Sequence, residues 1–175
     1  QAIWKHINAL RKDGYKIASS TNLGYKLEDV PDVITKENIL NGLRTKTLGR
    51  TIYCLKETES TNTVAKELAR QGASHGTIVV AEKQSKGRGR LGRKWASPDG
   101  GIWFSILLRP ALHPTECPGL TLLSGLAIAR SIRKSLELPA VIKWPNDILV
   151  KQRKVCGILT EMSAEMDRVH YVVIG

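Results

Sequence analysis

The feature that most limits how this chain can fold is a succession of short, strand-length apolar runs in which helical periodicity occurs only in places. "AVIKW", "DILVK", "VCGILTEM" and "RVHYVVIG" follow one another towards the end of the sequence, joined by short turns. Upstream, "RTIYCLKE", "GTIVVAEKQ" and "GGIWFSILLRP" read as further strands, the last bounded by Asp99-Gly100-Gly101 and by Pro110. Two helices interrupt them. "STNTVAKELARQG" has a helix start at Ser60 or Thr61 and a stop at Gly72. "PGLTLLSGLAIARSIRKSLEL", with Pro118 in its first turn, is apolar almost all round, the pattern of a core helix. Strands dominate, with helices early and midway, which predicts an α+β fold rather than regular βα alternation.

The beginning reads as an appendage. In "QAIWKHINALRKDG", Ile3, Ile7 and Leu10 recur at helical spacing and Gly14 stands where a C-terminal cap belongs. Tyr15 and Ile17 then face Tyr25 and Leu27 across an Asn-Leu-Gly turn, a hairpin signal. A helix feeding a two-stranded wing is how a winged helix ends, and a packing helix with a hairpin satisfies the same pattern; a DNA reader also needs helices ahead of its recognition helix. In "EDVPDVITKENILNGLRT", Pro31 precedes a Thr35 N-cap and the stripe Ile39, Leu40 and Leu43. The predicted divisions are residues 1–30 for a partial winged helix-turn-helix, 31–48 for a linker helix, and 49–175 for the main domain.

Charge narrows the partners. Twenty-seven Lys and Arg against sixteen Asp and Glu give +11, favouring polyanions or phosphorylated small molecules. Cys54, Cys117 and Cys156 are odd in number and widely spaced, which indicates neither a disulfide framework nor a zinc site and fits a reducing cytoplasm. No signal peptide is legible, and no apolar run approaches the roughly 18 residues of a membrane span, so a soluble protein is expected. His6, His75, His113 and His170 are scattered and none is assigned to catalysis.

Within this frame "QSKGRGRLGRKW" packs three glycines and five cations into twelve residues without a carboxylate. Gly87, Gly89 and Gly92 satisfy G-x-G-x-x-G after a predicted strand, yet "KWASPDGG" cannot open the helix a dinucleotide fingerprint requires. A phosphate-binding G-x4-G-K-[ST] loop fails too, because Arg93 and Lys94 occupy its Lys and Ser/Thr positions. What remains is an anion cradle: glycines let backbone N–H groups approach a ligand, and Arg88, Arg90 and Arg93 offer planar donors to carboxylate or phosphate. An exposed RG-rich segment on nucleic acid or in water is the alternative. Trp95 at the end of the loop could cover an adenine or an arginine; Trp4 and Trp103 read as packing residues.

"GRGRLGRKW" followed by "SPDGGIWFSILLRP", then "KWPND", then "RKVCGILTE", resembles the biotin protein ligase family, with "ESTN" at 59–62 and the terminal "VVIG" similar to further family segments. The resemblance spans residues 59–175, and the first fifty or so resemble the last part of the DNA-binding domain of members that double as repressors. It implies a class II synthetase-like, biotin/lipoate-ligase-type catalytic domain with a mixed sheet backed by helices. The implied reaction has two steps: biotin carboxylate attacks the α-phosphorus of MgATP, giving biotinyl-5′-adenylate and pyrophosphate, and an acceptor lysine then takes the biotinyl group. Since family members continue beyond both ends, the sequence reads as a fragment cut at both ends, with its catalytic domain truncated C-terminally.

By resemblance, Ser60, Thr61, Asn62 and Gln84 line the biotin head-group pocket, where hydroxyl and amide groups suit a ureido ring. Arg88, Gly89 and Arg90 wrap the carboxylate and later the adenylate, Lys154 stands beside the reacting carboxylate, and Gly157 keeps the neighbouring strand open. Arg93 serves the phosphates and Trp95 the nucleotide, while Lys143, Asn146 and Asp147 fall to the triphosphate, Asp147 also to Mg²⁺. Arg90 and Lys154 carry the catalytic charge. The implied partners are a biotin carboxyl carrier protein, operator DNA in the full-length protein and a second subunit in a homodimer, with no membrane. Blander roles stand beside these: Ser60 and Thr61 also suit a helix cap, "WPND" a strand-ending turn, and Lys154 a solvated hairpin tip. A lipoate protein ligase is the rival enzyme, with fewer arginines in its loop; a DNA-binding repressor module leaves "KWPND" and "RKVCGILTE" without a role. Five mutually repelling cations predict a loop, residues 85–95, that is mobile when empty and orders over the adenylate.

Overall fold

A computed structural model describes residues 2–20 and 23–175. The chain divides into two units, residues 1–33 and 34–175.

The first unit is a helix and a hairpin. Helix α1 spans Ala2–Lys12, and Gly14, at φ +94°, reverses the chain after it; Tyr15 N–H donates to Leu10 O, satisfying a carbonyl of the last turn. Strands β1 (Lys16–Ser20) and β2 (Gly24–Asp29) pair antiparallel with Ile17 opposite Leu27. Asn22, where the turn was expected to begin, lies outside the described residues. Trp4, expected to pack, is 63% exposed, because no residue of α1 is buried.

The second unit opens with α2 (Lys36–Gly42), whose Thr35 N-cap hydroxyl accepts from Asn38 N–H. Its main sheet has strand order β3-β4-β5-β10-β9, formed by β3 (Ile52–Thr58), β4 (Ile78–Gln84), β5 (Trp103–Leu108), β9 (Thr160–Glu165) and β10 (Arg168–Ile174). β3 and β4 run parallel, linked by α3 (Thr61–Arg70), and the other neighbours are antiparallel. A second sheet, β6-β7-β8, is built from Ala140–Lys143, Asp147–Val150 and Arg153–Gly157. The fold is therefore α+β with a mixed sheet.

The alternation along β10 decides what packs where. Tyr171 and Val173 join Val79, Leu107, Ala65 and Ala69 under α3, whereas Val172 and Ile174 face Cys117 and Ile158 on the other side. Val169 shares that second face despite its odd position because the register shifts between Val169 and Tyr171. The C-terminal end of α3 is held by Arg109, which donates to the carbonyls of Ala69 at 2.7 Å, Ala73 at 3.0 Å and His170 at 3.2 Å.

Two sequence expectations change. Helix α4 (Pro118–Leu136) is not a fully buried core helix: only Gly125 and Ala129 are buried, while Leu122, Leu123 and Leu126 are exposed. It is apolar on two sides because one packs on β6 and β7 through Ala129, Ala140, Ile148 and Val150 and the other lines a cavity. "VCGILTEM" is not one strand but the end of β8 and the start of β9, which belong to different sheets. The break falls at Ile158 and Leu159, where Ile158 N–H donates to Asn146 O while Leu159 and Gly175 exchange two backbone hydrogen bonds.

Candidate active site

The parallel pairing of β3 and β4 sets Thr58 opposite Gln84, so the first turn of α3 lies beside the end of β4. Ser60 occupies the N-cap position but makes no side-chain capping bond. The N–H left without a partner inside the helix at its start is satisfied instead by Gln84, whose Oε1 accepts from Thr61 N–H at 2.8 Å and from Thr61 Oγ1 at 3.1 Å. Gln84 Nε2 donates to Ser97 Oγ at 2.9 Å. Ser60, Thr61 and Asn62 are all buried. Beneath them Ser105, wholly buried on β5, places its hydroxyl 2.8 Å from Thr61 Oγ1 and 2.6 Å from Asn62 Oδ1. Here is a pocket floor of neutral hydrogen-bonding groups.

The glycine-arginine loop closes over this floor as a tight hairpin. Gly89 N–H donates to Arg93 O at 2.7 Å and Trp95 N–H to Gly87 O at 2.9 Å. Leu91 and Gly92 take left-handed φ values of +57° and +71° at the tip. A Cβ at Gly87 would lie 2.4 Å from Trp95 O and 2.7 Å from Ser97 Oγ, so this position requires glycine. Lys86 pairs with Glu59 at 2.6 Å, and Arg90 Nη1 donates to Asn146 Oδ1 at 3.1 Å, tying the loop to the turn between β6 and β7.

The opposite wall comes from the small sheet. Lys154 Nζ is 2.7 Å from Asp147 Oδ1 and 4.7 Å from the centroid of the Trp95 ring. That carboxylate oxygen is buried and accepts no directed hydrogen bond, so the contact with Lys154 holds it by charge rather than by alignment. Asn146 Nδ2 donates to Ile158 O at 3.0 Å. Trp144, Pro145 and Asn146 form the turn between β6 and β7, as strand-ending chemistry predicts, and Asp147 opens β7. Lys143 pairs across that turn with Asp147, but it is exposed and does not line the cavity.

Together these elements enclose a cavity of about 1160 Å³. Ser60, Thr61, Asn62 and Gln84 line it together with Arg88, Gly89, Arg90, Arg93, Trp95, Asn146, Asp147, Lys154 and Gly157, with apolar wall from α4. Burial raises the Cys156 thiol pKa, the Lys154 charge lowers it and Asp147 raises it again, with a net rise, so this cavity-lining thiol stays protonated at neutral pH.

Sequence reasoning missed three contributors. Ser105 was hidden in an apolar strand, where a lone hydroxyl on the buried face is the signal. Trp103, read as packing, also lines the cavity and donates to Pro98 O at 3.0 Å. Glu161, on β9, accepts from Asn62 Nδ2 at 2.8 Å and from Lys66 Nζ at 2.6 Å, and lies 3.6 Å from Arg88 Nη2. Burial by itself would raise its pKa, but the hydrogen bonds from Lys66 and Asn62 and the charges of Lys66 and Arg88 outweigh that and hold it below the usual range.

A cavity lined by neutral hydrogen-bonding groups, apolar walls and arginines can take an elongated molecule bearing an anionic end. Comparison with known proteins gives the family. Residues 54–175 match the Biotin/lipoate A/B protein ligase family. The chain is 45% identical over 175 residues, 99% of its length and 54% of the relative's, to the "Bifunctional ligase/repressor BirA" of Bacillus spizizenii. It is 37% identical over 123 residues, 69% of this chain and 51% of the relative, to the "Biotin--[acetyl-CoA-carboxylase] ligase" of Paracoccus denitrificans. This chain thus spans about half the length of these relatives. The biotin protein ligase of Aquifex aeolicus solved with biotin and ATP superposes with a TM-score of 0.59 at 40% identity, covering 71% of this chain and 51% of that one. The Leishmania major enzyme with biotinyl-5-AMP gives 0.62 at 29% identity, covering 71% and 55%. With a family match over residues 54–175 and a relative 45% identical along the chain, the chain belongs to the biotin/lipoate A/B protein ligase family.

Proposed function

We propose that this chain forms the biotin-activating site of an ATP-dependent biotin protein ligase. The observation that carries the reading is one cavity lined both by buried neutral hydrogen-bonding groups at the start of α3 and by the arginines of the loop. The relatives named for biotin, and a neighbour solved with biotin and ATP, support it.

In this reading the ureido ring of biotin enters among Ser60, Thr61, Asn62 and Gln84, whose donors and acceptors are fixed by the network beneath them. The valeryl chain runs along the apolar wall and delivers its carboxylate to Arg88 and Arg90, with Gly89 keeping the backbone between them free of a side chain. Joining a carboxylate to a triphosphate brings two anions together, so the barrier falls mainly by positioning and charge neutralisation. Lys154, held by Asp147 and Trp95, supplies a compact positive charge where the carboxylate oxygen meets the α-phosphorus. Pyrophosphate leaves, with Arg93 and Asn146 at the phosphates and the free face of Trp95 for the base. The lysine amine of a carrier protein then attacks the biotinyl carbonyl and AMP departs.

Magnesium fits this chain's own residues poorly. Asp147, the carboxylate among the described cavity-lining residues, is already engaged by Lys154 at 2.7 Å. A magnesium ion travelling with ATP would draw its ligands from phosphate oxygens and water.

The carrier protein, a homodimer and a cytoplasmic location follow from this activity as parts of the same proposal. A repressor role is favoured by one further observation, the separate helix-and-hairpin unit in a chain similar to bifunctional ligase/repressors. No described helix is long and apolar enough to cross a membrane. The test of the enzymatic reading is calorimetric titration with biotin and with lipoate. Biotin should bind and lipoate should not, because a dithiolane leaves the floor's polar groups unpaired; equal binding overturns the assignment to biotin.

A further inference from the structure

We propose that Glu161 is a positioning residue for the head-group pocket, fixing the orientation of the Asn62 amide and drawing Arg88 against the start of α3; the proposal rests on the reading of the cavity as a biotin site. Glu161 does not line the cavity. It stands behind the wall on β9, opposite Val173, with a quarter of its side chain exposed.

An Asn amide has one accepting and one donating end of nearly the same shape, and what surrounds it decides which way it faces. An ionised carboxylate can only accept. Glu161 Oε2 therefore takes Asn62 Nδ2 at 2.8 Å, seconded by Leu159 O at 3.3 Å. The amide oxygen is left for the Ser105 hydroxyl at 2.6 Å. Without the carboxylate, the longer contact to Leu159 O would be the remaining hold on that amide. The reversed amide could still bond Ser105, which accepts as well as donates. Reversal would change the pattern that Asn62, Ser105 and Thr61 present to a ligand.

The same carboxylate organises Arg88, whose Nη2 lies 3.6 Å from Glu161 Oε2 and 3.2 Å from Thr63 Oγ1. At 3.6 Å the guanidinium is steered by the carboxylate but lies beyond hydrogen-bonding distance of it, so Arg88 is oriented and keeps its attraction for a ligand carboxylate. A purely structural ion pair would need Lys66 and Glu161 alone. The contacts to Asn62 and Arg88 join the pocket floor to the loop.

Glu161→Gln keeps the shape but sets one acceptor and one donor against three donor groups. Calorimetry on this chain should show biotin affinity reduced about tenfold, with ATP affinity unchanged. Lys66→Met removes the same ion pair while leaving Asn62 and Arg88 with their carboxylate, and its biotin affinity should stay within about twofold of wild type. Adding Glu161→Gln to Asn62→Ala should weaken biotin binding less than the sum of the two separate losses, since both changes disable one device. Equal losses in Glu161→Gln and Lys66→Met, additive losses in the double variant, or unchanged affinity in Glu161→Gln would each overturn the positioning role. Failure of the wild-type chain to bind biotin would instead overturn the reading of the cavity on which it rests.

Discussion

Gly157 lies directly beneath Lys154: a Cβ built on it would come 3.0 Å from Lys154 Cε and 3.1 Å from Trp95 Cη2. Those distances require both neighbours to give by a few tenths of an ångström. Gly157→Ala should therefore shift the ammonium away from the reacting carboxylate and slow pyrophosphate release by roughly tenfold, with Gly157→Val worse, because small displacements of a charged group cost rate steeply. Stopped-flow pyrophosphate assays at saturating biotin are the check, and wild-type rates in both variants would sink it.

Removing the charges outright should cost more. Arg90→Ala takes away a loop cation held at Asn146, and Lys154→Ala takes away the charge facing Asp147. Each should slow adenylate formation on the order of a hundredfold. Single-turnover measurements that found either variant at full speed would refute its role in charge stabilisation.

The loop is predicted to order with its ligand. Its hairpin rests on a few backbone hydrogen bonds, while fixing residues 85–95 costs roughly 1–2 kcal/mol of backbone entropy per residue. Trypsin should cut Arg88 to Lys94 fastest in the empty protein, more slowly with biotin and slowest with the adenylate. An uncharged biotin analogue should protect least among ligands. Gly87→Ala, whose Cβ would meet Trp95 O at 2.4 Å, should lose that protection. Equally slow cutting without any ligand would mean a preformed loop.

Acid should separate wild type from Glu161→Gln in a definite direction. The folded Glu161 carboxyl titrates below its ordinary range, so its contribution to stability is present above the unfolded value of about 4.3 and is lost as pH falls through the folded pKa. Urea midpoints should place wild type above the variant at pH 6, and the gap should narrow towards about pH 3. A gap that stays constant over that range would show that the charge does not contribute.

Much of this was legible in the residues, and the failures have physical causes. The strands, α3 and the Thr35 cap follow from local pattern, and the loop's glycines fit its tight hairpin. Lys143 was carried by its motif alone, and backbone pairing leaves it exposed outside the cavity. For α4, an all-round apolar surface does not distinguish a buried helix from one with a face on a cavity. Glu161 was invisible because its meaning lies in Asn62, Lys66 and Arg88, distant in sequence and brought together only by sheet pairing. Periodicity likewise passed through Gly157, Ile158 and Leu159 without a break, although two sheets meet there.

That meeting point fixes the length of the chain. Ile158 is bonded into the turn before β7 and Leu159 into the end of the main sheet, so the join has no slack. Side chains alternate along a strand, and one inserted residue after Leu159 would either turn all of β9 over or force a bulge. Turned over, Glu161 would leave Asn62, and exposed Met162 would take the side of the sheet where Glu161 and Ser163 are half-buried. Homologous chains should therefore gain and lose residues in the Glu165–Arg168 turn far more readily than between Gly157 and Thr160.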